Sequence, residues 1–161
     1  MAHGDSKIIV IGCGKRLSGD DSAALEVLSR LHDVPDLGCE LRTYEEGCPL
    51  GFLAEIPADA LVVFIDSVRS KAEPGTIHCQ KLPSKPVAPG HLGPVSRHIV
   101  DIEGEIAVAQ KLHGASPRLF LLAIEVDNCA PGPELSSKVM RAVEEIVNNF
   151  PRYRKLAHEL A

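Results

Sequence analysis

Apolar positions along the chain alternate between short continuous runs and longer stretches with helical spacing, the pattern of an α/β domain with a mainly parallel sheet. Residues 8–12, Ile-Ile-Val-Ile-Gly, form an uninterrupted apolar run and predict a first strand buried on both faces. A glycine-containing loop, 12–19, leads into a helix over about 20–31, with Ala24, Leu28 and Leu31 on one face. Residues 40–43 predict a second strand, 49–56 a short helix, and 60–65 a clear strand ending at Asp66. Residues 76–80 predict a fourth strand, whose mixed polarity suits a sheet edge. Through 82–94 run Pro83, Pro86, Pro89, Gly90, Gly93 and Pro94, so no regular element crosses that stretch.

Ile99, Ile102, Ile106, Ala109 and Leu112 then predict a helix over about 98–112, followed by a strand at 118–124. A final helix over 134–150 turns Val139, Val143, Ile146 and Val147 inward and stops at Pro151. Residues 150–161, with Arg152, Arg154 and Lys155, predict a solvated basic tail. The expected architecture is a three-layer α/β sandwich: a mostly parallel, five-stranded twisted sheet with helices on both faces, forming one domain over residues 1–161.

Charge removes some function classes. With 17 basic and 22 acidic side chains the chain carries −5 at neutral pH, without the basic footprint of phosphate-backbone binding, so no nucleic-acid partner is expected. Four Phe, two Tyr and no Trp leave little material for a base-stacking platform. The five cysteines, Cys13, Cys39, Cys48, Cys79 and Cys129, are odd in number and form no CxxC pair, which argues for a reducing compartment and against a thiolate zinc site. The apolar run after the polar start is too short for a signal segment or a membrane span, so a cytoplasmic protein with no membrane partner is expected.

Candidate chemistry gathers at the loops that follow predicted strands. Gly12-Cys13-Gly14-Lys15-Arg16-Leu17-Ser18-Gly19-Asp20-Asp21 stands where a dinucleotide fingerprint would, but Leu17 replaces the third glycine. Gly14 and Gly19 have Walker spacing, yet Asp20 and Asp21 follow instead of Lys and Ser or Thr, and two carboxylates at a helix N-terminus repel phosphate. Ser18 to Asp21 also reads as a helix-capping signature, so Asp21 is either a cap or a ligand. Asp66, a carboxylate ending an apolar strand, is either a turn former or a site residue. His98 opens a helix, where the dipole disfavours imidazolium and leaves a neutral nitrogen able to bind metal, or else it is an exposed first-turn residue. The loops after the first and third strands of a doubly wound sheet converge where strand order reverses. Two carboxylates and one imidazole there would suit a borderline divalent metal such as nickel or zinc.

These residues, taken in order, resemble the hydrogenase maturation proteases, endopeptidases that remove a C-terminal extension from the large subunit of [NiFe] hydrogenases after nickel insertion. The resemblance runs through Ile9-Val10-Ile11-Gly12-Cys13-Gly14, Gly19-Asp20-Asp21, the run from Leu61 to Asp66, Ser70-Lys71-Ala72-Glu73-Pro74-Gly75-Thr76, and Ser96-Arg97-His98. It implies that Asp21, Asp66 and His98 are the metal-contacting and catalytic residues of an aspartic-type endopeptidase. It further implies that the nickel is supplied by the hydrogenase large-subunit precursor, which is the partner, and that no organic cofactor is needed. The chain departs from the family pattern at Lys15, where Asn is usual, at Ala24 for Gly, at Arg97 for Pro, and at Glu45-Glu46-Gly47-Cys48, where the family has an acidic residue followed by Gly-Gly-Thr. These departures fall on substrate-contacting loops more than on ligands. The alternatives are a non-catalytic, nickel-dependent hydrogenase-binding protein or chaperone using the same cleft, and a nucleotide-binding domain. A Cys nucleophile is not expected, since neither Cys13 nor Cys48 has an evident His partner and both suit packing.

Overall fold

A computed structural model describes residues 6–83 and 102–161. Its strands are β1 (Ile8–Cys13), β2 (Glu40–Tyr44), β3 (Leu61–Val68), β4 (Ile77–Leu82) and β5 (Arg118–Glu125). The helices are α1 (Ala23–His32), α2 (Ile102–His113), α3 (Ser137–Asn148) and α4 (Phe150–Leu160), with short 3-10 turns at Gly19–Ser22 and Phe52–Glu55. The five strands form one sheet in the order β2-β1-β3-β5-β4, parallel except for β4, which runs antiparallel to β5.

Burial follows the sequence pattern. The central strand β3 is buried at every position, and β5 at all but its first, because their continuous apolar runs suit a sheet covered on both sides. The mixed sequence of β4 lies at an edge, as its polarity predicts, and β2 holds the other. Side chains alternate between two cores. Val10, Leu61, Val63, Ile65, Phe120 and Leu122 join α1, α3 and α4 on one face, while Ile9, Ile11, Val62, Phe64, Leu119 and Leu121 pack with Phe52, Leu53 and Ala109 on the other. Helices therefore cover both faces, as expected of a three-layer sandwich. The helix α1 comes close to β1 because Gly12 has no side chain; a Cβ there would lie 2.7 Å from Leu28 Cδ1.

Some expectations need correction. The segment 150–161 is not a solvated tail but the helix α4, whose Phe150, Tyr153 and Ala157 are buried in the core with α1 and α3. Pro151 does not merely stop α3; it occupies the first turn of α4, where a missing N–H costs no hydrogen bond. The basic residues lie on the outer side of that turn pattern, and Arg154 donates to the Leu37 carbonyl at 2.8 Å. The predicted helix at 49–56 shrinks to Phe52–Glu55 between Gly51, with φ at 79°, and Pro57. Strand β3 continues past Asp66 to Val68 because its pairing with β5 extends to Val68 opposite Glu125. Residues 84–101, which hold most of the Pro-rich stretch and His98, lie outside the described residues.

Candidate active site

The strand order puts β1 and β3 side by side, with β2 reached to one side of β1 and β5 to the other side of β3, so the loops leaving their carboxyl ends open at the point where the order reverses. Asp21 lies in the 3-10 turn before α1, and Asp66 lies near the end of β3. Asp66 is buried and Asp21 half-buried. Among the described residues, Ser67 contacts both. Its hydroxyl donates to Asp21 Oδ1 at 2.5 Å, and its backbone N–H donates to Asp66 Oδ1 at 2.7 Å. Alternation along β3 lets both contacts exist: Asp66 belongs to the α2 side of the sheet and Ser67 to the α1 side, where Asp21 is.

Asp20, the neighbour of Asp21, does different work. It is fully buried and accepts from the Asp127 N–H at 3.1 Å, the Asn128 N–H at 2.9 Å, and both the N–H (2.7 Å) and the hydroxyl (3.0 Å) of Ser136. Its own N–H donates to the Asn128 carbonyl at 2.8 Å. Asp20 thus fastens the loop after β1 to the segment that connects β5 with α3. The capping reading of Ser18 to Asp21 is corrected: Ser18 makes no side-chain cap bond, and the two carboxylates turn to residues more than forty positions away.

The loop amides are likewise engaged. Gly14 donates to the Tyr44 carbonyl, Lys15 to that of Asp21, Gly19 to that of Gly132, and Asp21 to that of Ser18. Gly14 has no room for a Cβ, which would meet the Asp21 carbonyl oxygen at 2.5 Å. A phosphate at this loop would find those donors already in use, which argues against the nucleotide-binding alternative.

Glu125, buried at the end of β5, holds the loop after β3. It accepts from the Ser70 N–H and hydroxyl, each at 2.7 Å, and lies 3.0 Å from His78 Nε2. On the other side, Glu105 of α2 accepts from the Gly51 N–H at 2.7 Å and so fixes the loop after β2. That loop also meets the loop after β1 through an Arg16–Glu45 ion pair and a 3.5 Å contact between the free thiols of Cys13 and Cys48. The contact with Cys48, then burial, with the Asp66 charge adding to them, push the Cys13 thiol far above its ordinary value, a direction that disfavours a thiolate nucleophile. Near Asp21, burial raises the Cys129 thiol, with Arg69 opposing and the Asp21 charge adding to it.

Three solved structures share the fold over nearly the whole chain. The [NiFe] hydrogenase maturation protease HybD from Thermococcus kodakarensis matches with a TM-score of 0.67 at 19% identity, covering 91% of this chain and 97% of its own. The hydrogenase maturating endopeptidase HybD from E. coli has the same score at 18% identity, covering 92% and 93%. HycI, a [NiFe] hydrogenase maturation protease from Thermococcus kodakarensis KOD1, scores 0.67 at 21% identity over 95% of each chain. The fold is that of the hydrogenase maturation proteases. No family model matches the sequence, and none of the curated proteins matches it.

Within this fold, the structure brings Asp21 and Asp66 to one place, while His98 lies outside the described residues. Among the described residues no group of three His, Cys, Asp or Glu side chains is arranged to hold a metal, and no helix is long and apolar enough to cross a membrane. Sequence reasoning missed Ser67, the fixing role of Asp20, and the loop-holding carboxylates Glu105 and Glu125. The available signals were slight: a polar residue directly after the strand-end aspartate, and a single acid at the inner side of a helix or strand.

Proposed function

We propose that the protein is an endopeptidase that removes the C-terminal extension of a [NiFe] hydrogenase large-subunit precursor. The observation that carries this reading is the pair of carboxylates joined through Ser67 at the strand-order reversal of a maturation-protease fold. Nickel already bound to the precursor is the recognition element, and Asp21, Asp66 and His98 take its free positions. Two carboxylates and an imidazole are a suitable donor set for that ion. The grip explains why cleavage waits for metal insertion, since the three side chains have nothing to hold in a nickel-free precursor. The scissile peptide is then cut by water, with the carbonyl polarised by the metal or the water deprotonated by a carboxylate. No Cys is required, in keeping with the upward shift of the Cys13 thiol.

The test is an in vitro reaction with purified precursor in nickel-loaded and nickel-free forms, followed by the mass of the large subunit. Wild-type protein shortens only the loaded form, and His98→Ala shortens neither. Release of a full-length loaded subunit would identify a nickel-dependent chaperone instead, and normal cleavage by His98→Ala would remove that residue from the site.

A further inference from the structure

We propose that Ser67 is a positioning residue that sets the geometry of both site carboxylates at once. The inference rests on the reading of Asp21 and Asp66 as the groups that grip substrate-borne nickel. Ser67 is buried, at 4% exposure, and belongs to the central strand β3, where it stands opposite Ile124 of β5. From that anchored position it directs two donors in different directions, the N–H to Asp66 and the hydroxyl to Asp21. The 2.5 Å hydroxyl contact is in the range of O–H bonds to carboxylates, which are shorter and stronger than neutral ones.

The two contacts differ in what they ask of the side chain. The N–H bond to Asp66 comes from the backbone and survives any substitution except proline. The bond to Asp21 exists only with a hydroxyl. Asp21 sits in a 3-10 turn rather than on the sheet, so the hydroxyl transmits the rigid frame of β3 to a carboxylate carried by a different element. Groups that orient metal-contacting carboxylates typically change metal affinity or activity by about 10- to 100-fold when removed.

The experiment compares wild type, Ser67→Ala and Ser67→Thr for binding and cleavage of nickel-loaded precursor, and for binding of nickel-free precursor. Ser67→Ala is expected to weaken binding of the loaded form by about 10- to 100-fold, to leave affinity for the nickel-free form unchanged, and to lower the thermal midpoint by only about 2–4 °C, so that the protein stays folded under the assay. Ser67→Thr, which retains the hydroxyl, is expected to restore most of the lost affinity. Equal weakening toward both precursor forms, or unaltered binding of the loaded form by Ser67→Ala, overturns the proposal. Failure of wild type itself to prefer the loaded form overturns the parent reading, and this inference with it.

Discussion

The two ends of the sheet are built on different principles. At the carboxyl end, Asp20, Asp66 and Glu125 are buried and tightly bonded, and Ser67 ties Asp66 to Asp21. At the amino end lies a cavity of about 910 Å³ lined by Lys7, Cys39, Glu40, Arg154, Lys155 and His158. There the charges are largely exposed and pair with one another, as Lys7 does with Glu40 at 2.6 Å. This cavity has a weaker claim to chemistry than the carboxylates at the other end. Long side chains in water must lose conformational freedom each time they take up one geometry, whereas carboxylates held by buried donors already have theirs.

The contrast is sharpest in catalysis. Asp21→Ala and Asp66→Ala are each expected to reduce precursor cleavage by at least about a thousandfold, the scale of losing an essential member of a catalytic set. Arg154→Ala combined with Lys155→Ala at the opposite end is expected to leave the rate within about twofold. Time courses of precursor shortening measure both, and a large loss from the second pair would move the functional surface to the cavity.

A second, smaller effect separates two adjacent carboxylates. Asp20→Ala leaves three backbone N–H groups and a hydroxyl without their buried acceptor, and is expected to lower stability by about 2–4 kcal/mol, read from urea unfolding. Asp21→Ala, at a half-buried position, is expected to lower it by about 1 kcal/mol. Equal losses would mean that both aspartates serve the fold.

The smallest effect belongs to the amino end. Lys7, then Arg42, holds the Glu40 carboxyl below its ordinary value. Whatever stability the pair adds is therefore present at neutral pH and lost as pH falls through the acidic range in which Glu40 takes up its proton. Because the pair is solvated and screened, Glu40→Gln is expected to cost less than about 0.5 kcal/mol at pH 7 and to reduce the acid dependence of unfolding slightly. A cost of several kcal/mol would show that this end, too, is rigidly built.

Much of the frame is legible in the chain. Continuous apolar runs mark β1, β3 and β5 because a strand covered on both faces has no polar side to show, and the mixed run at β4 marks an edge for the converse reason. Asp66 is legible as a lone carboxylate ending such a run. The helix α4 was obscured because its apolar residues, Phe150, Tyr153 and Ala157, are sparse among basic ones, although their spacing fits one helical face.

The α/β class, the place of Asp21 before the first helix and that of Asp66 toward the carboxyl end of a buried strand could be read from the chain alone. Those are properties of local periodicity and order along the chain. Which of two neighbouring aspartates is buried as a fastening, and which meets Asp66 through Ser67, is a matter of tertiary structure. The partners that make the difference, Ser67 for Asp21 and Asp127, Asn128 and Ser136 for Asp20, lie 46 to 116 residues away. No local pattern encodes such distances; they come into being when β3 and β5 are laid beside β1 in the sheet.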